Sequence, residues 1–306
     1  MKDEGGINAK VKVSVIVPVK NEAANLGRCL ASVRWADEVV VVDSGSTDGT
    51  REIAEQCGAR VVTFDYKGGY PKKKNWALEQ IVLRNSWVFF LDADESLPPA
   101  AEEEFRQITE GRDGGHDGYW INRRFQFMGR WMRHAYYPNW NLRLFRRDKG
   151  RFERITDAET HSGDVEIHEH VVVAGATGRL RCEMDHYAFP SIEAFVEKHN
   201  RYSNWEARVA LDAMLDGSEA GIRDAKVARR RKLKQWSQRM PFRPWLRFLY
   251  VYVWQRGFMD GRAGYYFARL HGFYEFLCVA KEEELRSGEG SILNVSGTGE
   301  REGVSK

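Results

Sequence analysis

The chain has 306 residues, of which 42% are hydrophobic and 30% charged, and its formal net charge at pH 7 is +3. This composition excludes a disordered or fibrous protein and fits a globular one, and the length allows one catalytic domain plus an appended region. The four cysteines lie far apart and indicate neither a disulfide framework nor a zinc site. We expect a protein of the reducing cytoplasm, without a secretion signal or a membrane-spanning helix.

Short β-branched runs alternate with helix-length polar segments over the first hundred residues. The runs predict strands at 11–17, 39–42, 60–63 and 87–91. These strands lack strict alternation of polar and apolar residues, which predicts burial on both faces and a parallel sheet covered by helices. The carboxyl ends of such strands share one edge of the sheet, where α/β proteins bind ligands. Polar residues just after these strands are therefore the first candidates for a site.

The pattern changes after residue 100. Further strands are predicted at 119–127, 142–145 and 180–187, and a helix with apolar residues at helical spacing begins at Ser191 and ends near Gly217. The resulting division is a tail at 1–10, an α/β domain at 11–190, a helical region at 191–286 and a second tail at 287–306. Both tails are polar and are predicted to be disordered.

Positive charge is concentrated in the helical region. Residues 223–247 contain ten Lys or Arg and one acid, a local charge of +9, so the rest of the chain sums to −6. Residues 236–276 contain 14 of the 38 aromatic residues. Basic and aromatic side chains together are typical of surfaces that bind anionic membranes or nucleic acids. A solvated basic face over an aromatic core would give the same composition, so both interpretations stay open.

Acidic residues follow two of the predicted strands. Asp43 comes directly after 39–42, and Asp92-Ala93-Asp94 follows the fourth strand. Two carboxylates this close raise each other's energy unless a cation compensates, and hard oxygen ligands suit Mg²⁺ or Mn²⁺ bridging a diphosphate. A single acid after a strand is often only a turn or a helix cap, and Asp48 fits that role.

Other nucleotide and metal motifs are missing from the sequence. It has no GxxxxGK[ST] loop, no GxGxxG after the first strand and no GxSxG elbow, which disfavours P-loop enzymes, dinucleotide-dependent dehydrogenases and α/β-hydrolases. The stretch that begins at Asp43 is not an EF-hand, because Ala54 stands at the twelfth position, where a bidentate Glu is needed.

Several segments together resemble family 2 glycosyltransferases of the GT-A fold. These are VSVIVPVKNE (13–22), WADE (35–38), VVDSGSTDGT (41–50), KKNWA (73–77) and LDADE (91–95). Arg143-Leu144-Phe145, Ile167-His168-Glu169 and His186 before the Ser191 helix are similar to the branch that adds a sugar to the lipopolysaccharide core, the core β-glucosyltransferases. The resemblance implies an α/β fold of the GT-A type, a Rossmann-like mixed sheet with helices on both faces, followed by a C-terminal helical region.

The resemblance also implies a donor pocket. Pro18, Asn21 and Glu22 would line it through the loop after the first strand. Asp43 would accept a hydrogen bond from the base or ribose, and Asp92 from the ribose hydroxyls. The alternative for the loop residues is an ordinary loop and helix start.

A divalent metal and a phosphate-binding lysine belong to the same implied site. Asp94 would ligate Mg²⁺ or Mn²⁺, and His186 would complete the metal shell or, alternatively, cap the Ser191 helix. Lys74 would lie near the base or the phosphates, although Lys72 and Lys73 are equally available.

The acceptor side needs a general base, because inversion requires deprotonation of the incoming hydroxyl opposite the leaving group. Glu169 is the candidate, with Glu166 and Asp164 as neighbouring alternatives. Metal-bound diphosphate leaves without an acid.

The sequence therefore favours an inverting, metal-dependent glycosyltransferase, with UDP-glucose as the expected donor and a lipid-linked glycan, such as lipopolysaccharide core, as the acceptor. The basic and aromatic region would hold it on the anionic inner face of the cytoplasmic membrane, with no nucleic acid as partner. The alternatives are a nucleotidyltransferase, disfavoured because residues 18–25 replace the expected Gly-rich loop, and a non-enzymatic RNA-binding protein, which leaves the acidic strand ends unexplained.

Overall fold

The structure is a computed structural model that describes residues 9–68, 70–112, 114–153, 170–215 and 242–287. The chain forms two compact units, the first comprising residues 1–133 and 137–188 and the second residues 134–136 and 189–306. Most of the two predicted tails lies outside the described residues.

The first unit alternates strands and helices and then becomes rich in strands. Its described elements are β1 (Val11–Val19), α1 (Ala23–Ala31), β2 (Ala36–Asp43), α2 (Thr50–Gln56), β3 (Arg60–Thr63), α3 (Lys73–Gln80), β4 (Trp87–Phe90), β5 (Glu95–Ser96), α4 (Ala101–Thr109), β6 (Gly118–Phe127), β7 (Arg130–Trp131), β8 (Trp140–Arg146), β9 (Gly150–Phe152), β10 (Val171–Val173) and β11 (Thr177–His186). The strands predicted from β-branched runs are confirmed to within a few residues.

One mixed sheet organises this unit. Its strand order is β3-β2-β1-β4-β8-β6-β11-β5, with β7 paired to β6, and β9 and β10 form a separate antiparallel pair. The four strands β3, β2, β1 and β4 are parallel, β8 is antiparallel to both β4 and β6, and β11 is parallel to β6. The predicted mixed sheet is therefore confirmed. The two-residue strand β5, antiparallel to β11, was not predicted.

Hydrophobic cores lie on both faces of the sheet, as the apolar strands predict. In β1 the odd-numbered residues from Val11 to Val19 pack into one cluster with α1 and α4, whereas Ile16 packs into a second cluster with α3. Side chains that alternate between two buried faces require apolar residues at successive positions. The continuous run VIV at residues 15–17 follows from that requirement.

The second unit is helical, as predicted. Its described elements are α5 (Ile192–Leu215), α6 (Arg243–Leu249), a π-helix (Tyr250–Trp254), a 3₁₀-helix (Gly257–Asp260) and α7 (Gly261–Ser287). Gly264 allows the close approach of the 3₁₀-helix to α7, because a Cβ there would lie 1.9 Å from the carbonyl oxygen of Gly257. None of the described helices is long and apolar enough to cross a membrane.

Aromatic rings fill the interior of the second unit. His271 stacks on Tyr136, with ring centroids 4.6 Å apart, and lies 5.5 Å from His199. Burial keeps the pKa of His271 well below its usual value and lowers the pKa of His199 to about 4. Both rings are therefore neutral at pH 7 and act as core aromatics.

The basic segment at 223–247 falls mostly outside the described residues. Of its charged side chains, the structure describes Arg243 and Arg247. Arg243 forms ion pairs with Glu275 and Glu282, at 2.7 and 3.0 Å, and Arg247 donates a hydrogen bond to the hydroxyl of Tyr136. Both cations are therefore engaged by partners within the second unit.

We expect Phe105→Ala to lower the free energy of unfolding by about 3–5 kcal/mol, because it removes a large ring from the core of the first unit. Phe105 has no exposed surface, and its ring centroid lies 5.1 Å from that of Trp35 and 5.0 Å from that of Phe89. Urea unfolding measures the change. The control, Val82→Ala at a position that is 79% exposed, should shift stability by less than about 0.5 kcal/mol; equal effects of the two variants would contradict the assignment of the core.

Candidate active site

The predicted site residues follow neighbouring strands at one edge of the sheet. Val19, the last residue of β1, pairs with Asp43, the last residue of β2, and the Ser44 amide donates to the Val19 carbonyl at 3.2 Å. On the other side of β1, the amide of Leu91 donates to the carbonyl of Ile16 at 3.1 Å and so continues β4 toward the same edge. The two acidic motifs thus follow the strands on either side of β1.

The loop after β1 is tied to the loop after β2. The Asn21 amide donates to Ser46 Oγ at 2.9 Å, and the Asn21 side-chain oxygen accepts from the Thr47 amide at 2.8 Å. The Glu22 amide donates to Thr50 Oγ1 at 2.8 Å. Asn21 has a positive φ of 56°, which Asn tolerates better than most residues. The Asn21 side chain and the Glu22 backbone therefore set the shape of this edge, next to half-buried Pro18.

Asp43 is a buried residue, and one of its carboxylate oxygens accepts hydrogen bonds within the loop after β2. It is 2% exposed, and Oδ1 accepts hydrogen bonds from the amide and hydroxyl of Ser46, at 3.0 and 2.6 Å. Oδ2 accepts no hydrogen bond from the described part of the chain. The neighbouring hydroxyl of Ser44 is buried and also lacks a partner among the described residues. Because buried polar groups are normally satisfied, the Ser44 hydroxyl makes the ends of β1 and β2 a candidate place for a ligand that would supply the missing partner.

Asp92 lies between two cations. Its Oδ2 accepts from Arg143 Nη2 at 2.7 Å, and its Oδ1 lies 3.8 Å from Lys74 Nζ. Burial by itself would raise the pKa of Asp92, but the charges of Arg143 and Lys74 outweigh it and hold the pKa well below its usual range. Asp92 is therefore ionised at neutral pH, and its side chain remains 31% exposed.

Of the three consecutive lysines, Lys74 is the one beside Asp92. Its ammonium also lies 5.4 Å from the ring centroid of Phe152. Lys73 is buried and instead donates to the carbonyl of Val19 at 3.2 Å, which anchors α3 to the end of β1.

Glu95 holds the turn that carries both aspartates. It has no exposed surface, and Oε1 accepts from Arg123 at 3.1 Å and from Arg143 at 3.2 Å. Its Oε2 accepts from the Asp92 amide at 2.9 Å. One carboxylate thus fixes the turn from inside and orients the arginine that neutralises Asp92.

Asp94 points toward His186, the last residue of β11. Asp94 Oδ2 lies 3.3 Å from His186 Nε2, and the Tyr187 amide donates to the Asp94 carbonyl at 2.8 Å. The alternative role for His186, as a cap of the helix that begins at Ile192, is filled by Ser191, whose Oγ accepts from the Ala194 amide at 3.0 Å. That His186 and Asp94 share a metal stays a prediction.

The described residues contain no group of three or more His, Cys, Asp or Glu side chains that could hold a metal ion. The Asp94–His186 pair could offer one oxygen and one nitrogen. Mg²⁺ is commonly bound by only one or two carboxylates, with phosphates and water completing its shell, so two protein ligands fit a metal that arrives with a diphosphate.

The predicted base belongs to a segment that the structure does not describe. Glu169, together with Glu166 and Asp164, lies in the range 154–169, outside the described residues. Its role stays a prediction from the sequence.

The roles of Arg143, Arg123 and Glu95 were not predicted from the sequence. Arg143 and Arg123 lie on β8 and β6, some 30 to 50 residues after the acids they pair with. The one available signal was charge: three acids in four residues, Asp92 to Glu95, require cations nearby.

Comparisons with known proteins identify the family of this chain. The family model described as glycosyl transferase family 2 matches residues 14–163. A glycosyltransferase of Rickettsia felis, itself uncharacterized, is 30% identical over 276 residues, which cover 89% of this chain and 90% of that protein. The lipopolysaccharide core biosynthesis glycosyltransferase LpsC of Rhizobium meliloti is 29% identical over 282 residues, 89% of this chain and 92% of LpsC. The chain therefore belongs to the family 2 glycosyltransferases.

A solved structure shares the fold. The mannosyltransferase PcManGT of Pyrobaculum calidifontis, in complex with GDP-mannose and Mn²⁺, superposes with a TM-score of 0.50 at 14% identity, covering 90% of this chain and 88% of that one. The GT-A type of fold expected from the sequence is thus confirmed.

Arg143→Met should lower the free energy of unfolding at pH 7 by about 3–5 kcal/mol, because it leaves Asp92 and Glu95 without their shared cation. In the wild type the low pKa of Asp92 contributes stability above the pKa of the unfolded chain, about 3.9, and this contribution is lost as pH falls through the folded pKa. The difference between wild type and variant should therefore narrow at low pH.

Urea unfolding at a series of pH values measures this difference. The matched control is Arg146→Met on the same strand, where the arginine is 42% exposed and lies 3.8 Å from Asp117; it should cost about 1 kcal/mol or less. If the difference in free energy of unfolding between wild type and Arg143→Met stayed constant with pH, the pairing of Arg143 with Asp92 would be contradicted.

Proposed function

We propose that this family 2 glycosyltransferase moves a hexose, with inversion, from a nucleoside diphosphate sugar to a lipid-linked glycan. UDP-glucose is the proposed donor and lipopolysaccharide core the proposed acceptor class. The observation that carries the proposal is the convergence of Asp43, Asp92 and Asp94 on one sheet edge, each with a different partner set. The relative LpsC, which is named for lipopolysaccharide core biosynthesis, supports the acceptor class.

The nucleoside would bind at the ends of β1 and β2. Asp43 Oδ2, which accepts no hydrogen bond from a described residue, is suited to an N–H of a base or to a ribose hydroxyl, and Ser44 Oγ is a buried hydroxyl without a described partner. A buried hydroxyl without a partner favours a ligand that supplies a hydrogen bond over one that does not. Asp92, ionised and partly exposed, would accept from the ribose hydroxyls while Lys74 and Arg143 keep it in place.

Asp94 and His186 would hold Mg²⁺ or Mn²⁺, which supplies positive charge against the leaving diphosphate when bound. The ammonium of Lys74 would add to that charge from the α3 side. Support for a metal comes from the donor types of this pair and from PcManGT, whose structure contains Mn²⁺ with GDP-mannose. His186 suits this role when neutral, because only then does Nε2 carry a free lone pair.

Glu169 would take the proton of the acceptor hydroxyl as that oxygen attacks the anomeric carbon. The bond to the diphosphate breaks on the opposite side, which produces inversion. We place the reaction at the cytoplasmic face of the membrane, on the support of the LpsC relationship and of the lipid-linked acceptor.

The two alternative functions now have less support. A nucleotidyltransferase is disfavoured by membership of the family and by the loop after β1, whose hydrogen bonds use Asn21, Ser46 and Thr47 rather than a Gly-rich phosphate cradle. RNA binding would not require three acids at a ligand edge.

Asp94→Ala should abolish transfer and remove the metal-dependent part of UDP binding, because it deletes a proposed metal ligand. Calorimetry with UDP, in the presence of Mn²⁺ and then of a chelator, measures the binding directly. The control is Asp65→Ala; the Asp65 side chain is 79% exposed and lies 3.9 Å from the ammonium of Lys67. This variant should behave as wild type. Cation-dependent UDP binding by Asp94→Ala would refute the metal assignment.

Glu169→Gln should reduce kcat by about 10²- to 10⁴-fold with little change in donor affinity, because glutamine keeps the shape of the side chain but cannot accept the proton. Steady-state kinetics with a short acceptor, alongside Glu166→Gln and Asp164→Asn, identify the base. Normal turnover by Glu169→Gln together with a loss in one of the other variants would move the role to that neighbour.

A further inference from the structure

The second unit exposes an unusual amount of apolar surface. Over residues 242–276 the exposed large hydrophobic side chains are Phe242, Trp245, Leu246, Leu249, Tyr250, Val253, Trp254, Phe258, Met259, Tyr265, Tyr266, Phe273 and Phe276. Trp254 is 80% exposed and Phe242 76%. Isolated exposed hydrophobic residues are ordinary, but a concentration of this size marks an interaction surface.

Ring contacts connect three of these exposed side chains, Trp245, Phe258 and Tyr265, through two half-buried rings. Phe248 lies between Trp245 and Tyr252, at centroid distances of 6.4 and 5.3 Å. Tyr252 in turn lies 6.2 Å from Phe258 and 5.8 Å from Tyr265. We call the surface formed by residues 245–266 of α6, the π-helix, the 3₁₀-helix and the start of α7 the aromatic surface.

The exposed charges that accompany these residues have one sign. Between residues 242 and 276, all of which are described, the exposed charged side chains are Arg256, Arg262 and Arg269. The two acids of this range are less exposed and paired: Asp260 with His134 at 2.9 Å, and Glu275 with Arg243 at 2.7 Å. A binding partner of this surface should therefore be apolar and anionic.

A recess of about 320 Å³ lies within the aromatic surface. It is lined by Tyr252, Phe258, Gly261, Arg262, Tyr265 and Tyr266. Aromatic walls beside one guanidinium match the region of a lipid where the acyl chains meet the phosphate, since tyrosine rings prefer that boundary and arginine binds phosphate oxygens.

We propose that the aromatic surface docks onto the headgroup and acyl boundary of an anionic phospholipid bilayer, without crossing it. A two-fold dimer through the same surface would bring like-charged arginines together, which opposes self-association. RNA would stack on the rings but leave Leu246, Leu249, Val253 and Met259 without apolar partners, whereas lipid covers both kinds of side chain. The proposal does not depend on the donor or acceptor assigned above.

The aromatic surface would contribute hydrophobic as well as electrostatic free energy to membrane binding, whereas a basic segment alone would contribute only the electrostatic part. Exposed charges are screened over about 3 Å at 1 M salt, against about 10 Å at 0.1 M, whereas apolar insertion resists salt. Binding to anionic vesicles should therefore fall with salt and keep a residual component.

The test compares the full chain with a variant of the aromatic surface. Flotation with vesicles of phosphatidylglycerol and phosphatidylethanolamine, and with neutral phosphatidylcholine vesicles, is measured at about 0.1 and 1 M salt. Trp254→Ser, Phe258→Ser and Met259→Ser are combined; these side chains are 80%, 51% and 55% exposed. The matched control combines Val82→Ser, Met128→Ser and Val172→Ser in the first unit, which are 79%, 50% and 46% exposed.

The aromatic-surface variant should lose vesicle binding by about tenfold or more and lose its salt-resistant component, while the control variant binds as wild type. Arg256→Gln with Arg262→Gln should reduce the preference for anionic over neutral vesicles. Brominated lipid should quench the fluorescence of wild type more than that of Trp254→Phe, because Trp254 would reach the acyl region.

Three results would overturn the proposal. One is the absence of wild-type flotation at low salt. Another is equal flotation by the aromatic-surface variant, with its fold verified by circular dichroism. The third is a wild-type dimer that this variant converts to a monomer, or RNA retention that it alone abolishes without an effect on vesicles. None of these readouts uses transferase activity, so a wrong donor or acceptor would leave the result unchanged.

Discussion

Three carboxylates lie within four residues at the end of a buried strand, and their negative charge must be neutralised for this edge of the sheet to be stable. Glu95 is completely buried and is satisfied by Arg123, Arg143 and the Asp92 amide. Asp92 is 31% and Asp94 18% exposed, and their partners are other side chains of the site. The most buried acid is thus held by the strongest internal pairing, which leaves the two more exposed acids to face a ligand. A buried charge without such partners would cost several kcal/mol.

This requirement explains why the strand-rich second part of the sheet belongs to the site. Arg143 comes from β8 and Arg123 from β6, and His186 ends β11, where it pairs in register with Glu95 of β5. The parallel strands and the helices between them supply Lys74 to Asp92, but both arginines come from the later strands. Because β8 pairs antiparallel with β4, Arg143 on β8 lies beside Asp92, which follows the end of β4.

The sequence predicted those parts of the structure that local patterns determine. Continuous apolar runs such as residues 15–17 gave the strands, and the rule that parallel strands share a carboxyl edge gave Asp43 and Asp92 as neighbours across β1. It could not give the partner of Asp92, because the pairing of β4 with β8 joins residues more than 50 positions apart. It could not choose Lys74 over Lys73 either, since adjacent residues on a helix point in different directions.

The same limit applies to the basic and aromatic region, where composition left a binding surface and an aromatic core as alternatives, and the structure shows packed core rings together with exposed aromatic side chains. Tyr136 and His271 are core rings, whereas Trp245, Trp254 and Phe258 are exposed. Arginines divide in the same way. Arg243 forms ion pairs with Glu275 and Glu282. The exposed arginines are Arg256, Arg262 and Arg269. Tertiary ion pairs decide which cations remain available to bind an external partner. A net charge of +3, or a local charge of +9, therefore does not predict a binding surface until the partners of each arginine are known.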